Sequence, residues 1–395
     1  MPILIHIQFI MKNNLAENKK IAIIGGGPVG LTTAILLQQK GVNVKVYERD
    51  LNAQTRISGG TLDIHNDTGQ LAFKKAGLLE LFFKNARPTG ERAVDIQANI
   101  VEEVMPTEEN KLERPEIDRN DMRRILLESL NENTVEWDSQ LINLEKKENQ
   151  FHLQFKNGKI EIADVVIIEN GGQSNARKYV TDLTPKYTGT FVLQGEVLNP
   201  EIFCPNYKNL CKEENTMTIS DRKMLFCQVK AKGALNYYLS FKADEDWAVK
   251  ANIDLNNKES IVAFMNEKCA NWHPTFKELF AATDNFTSLA MRMLNVENGW
   301  KSKETNITLV GDAAHLMPPF AGVGVNVGLL DALNLAINLT EGDFSNIDAA
   351  IKDYEQKMFV YAAEAQDGTS QAEEGIHSDI SFEELMKQRE EGHRK

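Results

Sequence analysis

The sequence predicts an α/β fold in which a Rossmann-like nucleotide domain is interrupted by an antiparallel sheet and followed by a long C-terminal helix. Three observations predict it. The stretch "KIAIIGGGPVGLTTAILLQQKG" (20–41) is an apolar run that breaks on glycines and resumes with helical spacing. Between residues 183 and 289, "TFVLQGEV", "KMLFCQV" and "ALNYYLSFK" alternate with period two. Near the far end, "ITLVGDAAHLMPPFAGVGVNVGLLDALNLA" (307–336) repeats the order strand, glycine loop, helix.

With 395 residues, 42% of them hydrophobic, the chain has room for two packed domains. Its net charge of −13 argues against nucleic acid, whose recognition rests on clustered Lys and Arg, and against an anionic membrane surface. Cys204, Cys211, Cys227 and Cys269 form no CxxC pair and lack a nearby His at ligand spacing, so neither a zinc site nor a disulfide framework is expected and a reducing cytoplasm fits best. The opening "MPILIHIQFI" is too short to span a bilayer and lacks a basic n-region, so we expect the natural start at Met11.

In chain order, "KIAIIGG" reads as a buried parallel strand and "PVGLTTAILLQQKG" as a helix closed by Gly41. Gly25, Gly27 and Gly30 then form GxGxxG on a strand-to-helix turn. Gly25 permits the tight turn, Gly27 lets backbone approach a pyrophosphate, and Gly30 allows close helix packing, while the helix start offers free N–H groups. A second strand, "VNVKVYERD", ends in Glu48, at the offset of roughly 20 residues where an acid takes a ribose hydroxyl. An adenine dinucleotide is implied, either FAD or NAD.

"ADVVIIENGGQSNARKYV" (163–180) is a strand with a Gly-Gly turn, then Ser174 and Arg177. The 183–289 alternation predicts an antiparallel sheet with one face buried. In 307–336, a strand ends at Gly311 and Asp312, followed by a Pro-Pro turn and a helix starting near Gly324 or Asn326. Asp312 suits the hydroxyls of a sugar or ribityl chain, and the positive helix end suits the negative pyrimidine side of a reduced flavin, which selects FAD. "NIDAAIKDYEQKMFVYAAEAQ" predicts the long closing helix, and "AEEGIHSDISFEELMKQREEGHRK" a charged helix end and tail without a metal site. His65 and His315 are expected to be structural, and Arg123, in "DRNDMRRILL", to lie on a solvated charge face.

GxGxxG with Glu48-Arg49, "NGGQSNAR" and "GDAAH..PP..G.G.N.G..DA" together resemble the group A flavoprotein monooxygenases of the para-hydroxybenzoate hydroxylase fold, from Lys20 to about Phe382. Within that family, "RISGGTLDIH", "PEIDRNDMR", "GDAAHLMPPFAG" and "DYEQKMFVYAAEAQ" resemble the TetX-type tetracycline-inactivating enzymes. The resemblance implies an FAD-binding domain from 11–82, 105–182 and 290–345, a substrate domain from 83–104 and 183–289, and a C-terminal helix, bridging the two, with its tail over 346–395.

It further implies tightly but non-covalently held FAD. Gly25, Gly27 and Gly30 would take the pyrophosphate, Glu48 and Arg49 the adenosine end, and Arg119 and Asp312 the middle. Thr61, Leu62 and Asp63 would line the isoalloxazine, with Pro319, Gly322, Gly324 and Asn326 also on the cofactor. The substrate pocket would include Gln194, Met217, Phe226, Pro319, Phe320, Gly322 and Phe382. The implied reaction is hydroxylation of a fused-ring enolic or phenolic small molecule, tetracyclines foremost, by O2 through a C4a-hydroperoxyflavin. NADPH or NADH visits transiently, no side chain acts as catalyst, and a monomer is expected. The chain departs from the pattern at Asn170-Gly171, where Asp-Gly is usual, and at Val323, where Gln is common. Asn215 and Asn236 stand where the tetracycline-inactivating enzymes place an Arg and a His on the drug.

Overall fold

The computed structural model describes residues 14–55 and 59–379, so Met11 and Phe382 lie outside the described residues. A five-stranded sheet, all parallel, forms the nucleotide half in the order Ile307–Leu309, Val165–Ile168, Lys20–Ile24, Asn43–Tyr47, Val135–Glu136. Its central strands are apolar on both faces because helices cover one and an antiparallel meander the other, so "IAII" and "VVII" read as continuous hydrophobic runs. The helix Pro28–Gln38, with Pro at its start, is buried from Val29 to Leu37 between this sheet and the helix Gly324–Thr340. Each fully buried aliphatic there, such as Leu31 or Leu37, contributes about 1.5–3 kcal/mol.

A three-stranded antiparallel meander, Leu141–Lys147, Gln150–Phe155 and Ile160–Ala163, precedes the Val165–Ile168 strand. It turns Phe151, Leu153 and Phe155 inward, where Phe155 stacks on Tyr47 at 4.7 Å.

The second half is a seven-stranded sheet in the order Asn285–Met293, Lys186–Val197, Leu235–Lys242, Lys223–Val229, Asn215–Ser220, Glu91–Val94, Ile100–Val104. The early segment therefore supplies two of its strands, and Asn285–Met293 runs past residue 289. Its outer face carries Leu193, Tyr237, Leu239 and Phe241, packed against Trp247, Phe264, Phe276 and Phe280 of the covering helices. The expectation of one buried face is corrected here: the other face is buried as well, with Glu196, Gln228, Lys230, Asn236 and Ser240 all inaccessible. Backbone of the nucleotide half covers it, as when the Gly60 N–H donates to the Tyr238 hydroxyl at 2.8 Å.

The closing helix, Ile347–Ile376, is capped by Asn346, whose side chain accepts the Ala349 N–H. It begins in the nucleotide core with Tyr354 and Met358 and ends on the second sheet. There the sequence reading is again corrected. Glu373 and His377, expected on a charged helix end, are buried: Glu373 accepts from Thr188 (2.7 Å), Thr190 and Lys242 (3.2 Å), and His377 pairs with Ser240 at 2.9 Å. A carboxylate is tolerated there because three donors on the sheet meet it. Among the described residues no helix is long and apolar enough to cross a membrane.

Candidate functional site

The glycine turn is fixed by contact between backbones. Gly25 sits at φ +116°, and a Cβ there would stand 2.5 Å from the Glu169 carbonyl oxygen. A Cβ on Gly30 would stand 2.4 Å from the Gly25 carbonyl oxygen, so strand and helix leave no room for a methyl group. Gly26 donates its N–H to Glu48 at 2.6 Å, and the other Glu48 oxygen accepts from Asp50 at 2.9 Å. Gly27, the uncapped start of the helix, donates to the carboxylate of Glu169 at 3.1 Å. Burial raises Glu169 to about 8; the hydrogen bond from Gly27 opposes this, while the charges of Asp312 and Glu48 reinforce it. Arg49 is exposed and lines an open depression with Asp138, Gln140 and Lys156.

At the same carboxyl ends, after the edge strand Ile307–Leu309, Gly311 (φ +60°) turns the chain into the short helix Asp312–His315. Asp312 is deep among protein atoms yet reachable by solvent, as a side chain lining an open cleft must be, and burial raises its pKa against the pull of His315, Arg119 and Arg177. Arg119 donates to the Gly60 carbonyl at 3.0 Å, and Arg177 to the Ala313 carbonyl at 2.8 Å, fixing both arginines beside that cleft. Pro319 is exposed at the start of the Pro319–Ala321 turn, Gly322 takes φ +71°, and Gly324 opens the helix with free space around it.

Asn326 is buried and ties two elements together, accepting the His65 N–H at 2.8 Å and donating to the Asp63 carbonyl at 3.0 Å. Of the three residues expected along the isoalloxazine, Leu62 packs into the nucleotide core, and the Thr61 hydroxyl is taken by Glu116 and by Gln228 at 2.7 Å. What residues 61 and 62 can offer a flavin ring is therefore main chain. Asp63 holds Arg114 at 2.7 Å and His65 at 2.9 Å, and their hydrogen bonds and charges lower its pKa despite burial. Arg123 is not solvated as expected. It is buried against Trp137 and bonded to Asp50 at 2.8 Å, a partner delivered by the turn after the Glu48 strand. His315 is fully buried and paired with Asp331 at 2.7 Å; burial lowers its pKa, but the Asp331 charge and hydrogen bond outweigh this and raise it.

The register of the seven-stranded sheet sorts its inward face into rows. Glu196, Asn236 and Gln228 stand side by side; next come Gln194, Tyr238, Phe226 and Met217; then Val192, Ser240, Met224 and Ile219. The face thus passes from a polar row through an aromatic one to a mixed row in which Ser240 is tied to His377. Phe320, from the flavin-side loop, packs on the same cluster of Ile219, Met224 and Ile376 as Met217 and Phe226, so three residues expected in the pocket border one apolar cluster, and Gln194 lies in the row of Met217 and Phe226. Sequence reasoning missed Tyr238, Gln228 and Glu116, although period two in "ALNYYLSFK" puts Tyr237 and Tyr238 on opposite faces. Glu116 is buried, and that burial raises its pKa against hydrogen bonds from Thr61 and Asn215. Neither amide atom of Asn236 has a partner among the described residues, nor does the Asn215 oxygen.

These residues fit an adenine dinucleotide with a flavin. The turn excludes any Cβ and aims N–H groups at an anion, an acceptor lies open in the middle, and an uncrowded helix start faces the far end. Residues 18–357 match the family described as "FAD binding domain". "Monooxygenase asqM" of Emericella nidulans is 26% identical over 373 residues, covering 81% of this chain and 83% of that protein. The structure of Klebsiella pneumoniae HpxO complexed with FAD and uric acid aligns with TM-score 0.77 at 18% identity, covering 95% and 92% of the two chains. That of tetracycline destructase Tet(51) aligns with TM-score 0.74 at 21% identity, covering 94% and 95%.

Proposed function

The chain belongs to the FAD binding domain family and is a flavin-dependent monooxygenase; from that premise we propose that it hydroxylates a fused-ring enolic or phenolic substrate of the tetracycline type, with electrons from NADPH or NADH. Bound FAD supplies electron transfer and the activation of oxygen. The chain supplies the anion-binding turn, the acceptor at Asp312 and a wall that orients the ring and excludes water.

The observation that carries the reading is the graded inward face. A flat polycyclic substrate can lie on the half-buried Tyr238, Phe226 and Met217, with the buried amides of Gln194, Gln228 and Asn236 behind its oxygen-bearing edge. Met217, Phe226, Tyr238 and Phe320 are half-buried, which leaves part of each for a ligand to cover. The structural likeness to a tetracycline destructase supports the same substrate class.

A second reading, hydroxylation of an unrelated aromatic metabolite, rests on Asn215 and Asn236. Amides in place of the Arg and His of the resembling enzymes forgo charge-assisted bonds worth about 1.5–3 kcal/mol each. Asn215 is moreover tied to Glu116. The uric acid bound by the Klebsiella protein illustrates a smaller substrate on this fold.

The deciding experiment mixes FAD-loaded protein, NADPH and a tetracycline in air and weighs the drug by mass spectrometry. A gain of one oxygen that requires NADPH supports the first reading. An unchanged drug, with nicotinamide oxidation stimulated instead by a small hydroxylated heterocycle, supports the second. Replacing NADPH by NADH in the same assay ranks the two donors.

A further inference from the structure

The turn that receives a pyrophosphate in this family holds a carboxyl group of the protein's own. Glu169 follows the Val165–Ile168 strand, and its carboxylate accepts from the Gly27 N–H at 3.1 Å, with a further hydrogen bond from Gly30. A Cβ placed on Gly27 would stand 2.7 and 2.9 Å from its two oxygens, and one on Gly30 would stand 3.1 Å from the nearer oxygen. The carboxylate therefore lies inside the arc of the turn, against the first N–H groups of the Pro28–Gln38 helix. That helix has no side-chain cap of its own, and Glu169 serves as one from another strand.

We propose that Glu169 is an internal mimic of the FAD pyrophosphate: it occupies the glycine turn in the cofactor-free protein and must lose its charge for FAD to bind, which couples loading to proton uptake. Two anions cannot share the same N–H groups in a site with little water between them. The charged groups facing Glu169 do not relieve the conflict. Asp312, from the loop after Ile307–Leu309, and Glu48, at the end of Asn43–Tyr47, are both acidic, while Arg119 and Arg177 act on Asp312. Burial and these charges already raise Glu169 to about 8, so most of the protein is protonated there at neutral pH. A neutral Glu169 can donate its O–H to a phosphate oxygen or leave the turn at small cost; an ionised one repels the cofactor.

The sign follows from linkage. FAD binds the protonated form, so affinity is level below the cofactor-free pKa of Glu169 and falls by up to about tenfold per pH unit above it. Uptake approaches one proton per FAD on the alkaline side.

The test measures FAD dissociation constants by quenching of flavin fluorescence on cofactor-stripped protein, from about pH 6.5 to about pH 9.5. Wild type is compared with Glu169→Gln and Glu169→Ala, and proton uptake is read by calorimetry in two buffers of different ionisation enthalpy. Wild type should weaken about tenfold from about pH 8.5 to about pH 9.5 with uptake near one proton. Both variants should show a flat profile, uptake near zero, and affinity equal to or better than wild type at the alkaline end. Equal pH slopes in wild type and Glu169→Gln would overturn the proposal. So would a uniform loss in Glu169→Ala of about tenfold or more, about 1.4 kcal/mol, in protein still folded by circular dichroism, because Glu169 would then be a ligand of FAD, not its rival. If Glu169→Ala does not fold, the near-isosteric Gln variant decides alone.

Discussion

In the glycine turn every group that can recognise a ligand is a main-chain N–H, whereas on the inward face of the seven-stranded sheet each is a side chain, and each row is assembled from neighbouring strands. The contrast determines how each region tolerates change. A backbone site fails when space is lost, because no rotamer can move out of the way. A side-chain site fails one contact at a time, and its scaffold survives.

The largest effect tests the first half of that contrast. Gly30→Val puts a branched side chain where even a Cβ stands 2.4 Å from a carbonyl oxygen of the same turn. Overpacking against backbone should destabilise the cofactor-free protein by about 3 kcal/mol or more, and flavin should be absent from the protein after gel filtration. A yellow, fully loaded Gly30→Val would show that the turn is not held by backbone contact. Next in size is Lys230→Met. Lys230 and Glu196 form a pair 8% and 7% exposed, 3.1 Å apart, and Lys230 also donates to the Gly59 carbonyl at 3.1 Å. Removing one partner of a buried pair costs about 3 kcal/mol, read as a lower denaturant midpoint. Because the loss falls on the sheet, protein that remains folded should still bind FAD.

How much was legible in the sequence divides along the same line. Gly25, Gly27 and Gly30 were readable because a backbone site depends on which positions lack a side chain and on their spacing. So were the parallel strands, whose burial on both faces leaves unbroken apolar runs. Glu169 was not readable: its role depends on what lies across a turn from it, and a single acid after "VVII" looks like a strand terminus. Arg123 was misread for a related reason. It follows the polar run "DRND" and precedes a second Arg, but Asp50 and Trp137, distant in sequence, receive it. On the inward face, period two separates Tyr237 from Tyr238, yet the rows that join Gln194, Tyr238, Phe226 and Met217 exist only once the register is known. Glu373 and His377 read as a charged helix end because composition does not reveal Thr188, Thr190, Lys242 and Ser240 waiting on the sheet.

A smaller effect sharpens the second half of the contrast. Phe226 is half-buried between Met217 and Tyr238 of the neighbouring strands, and truncation to Ala removes ring surface from the proposed pocket without touching the glycine turn. We expect KM for the turned-over aromatic substrate to rise about fivefold to tenfold, the effect of losing about 1 kcal/mol of apolar contact. The FAD dissociation constant should stay within about twofold of wild type. A parallel rise in both constants would mean that the two sites are energetically one.

The smallest effect concerns Asn236, and its sign is the informative part. Its amide is fully buried, flanked by Glu196 and Gln228, with neither atom partnered among the described residues. A buried polar group without a partner costs stability, so an apolar residue of similar shape should be neutral or favourable. Asn236→Leu should therefore raise the stability of the cofactor-free protein by about 1 kcal/mol, seen as a higher denaturant midpoint at unchanged slope. If the polar row serves the substrate, the same variant should turn over more slowly at subsaturating substrate while binding FAD normally. A destabilised Asn236→Leu would instead place the amide in a hydrogen-bonded network that holds the sheet together. A stabilised variant with unchanged turnover would remove Asn236 from the substrate face and leave the aromatic row to do the recognition.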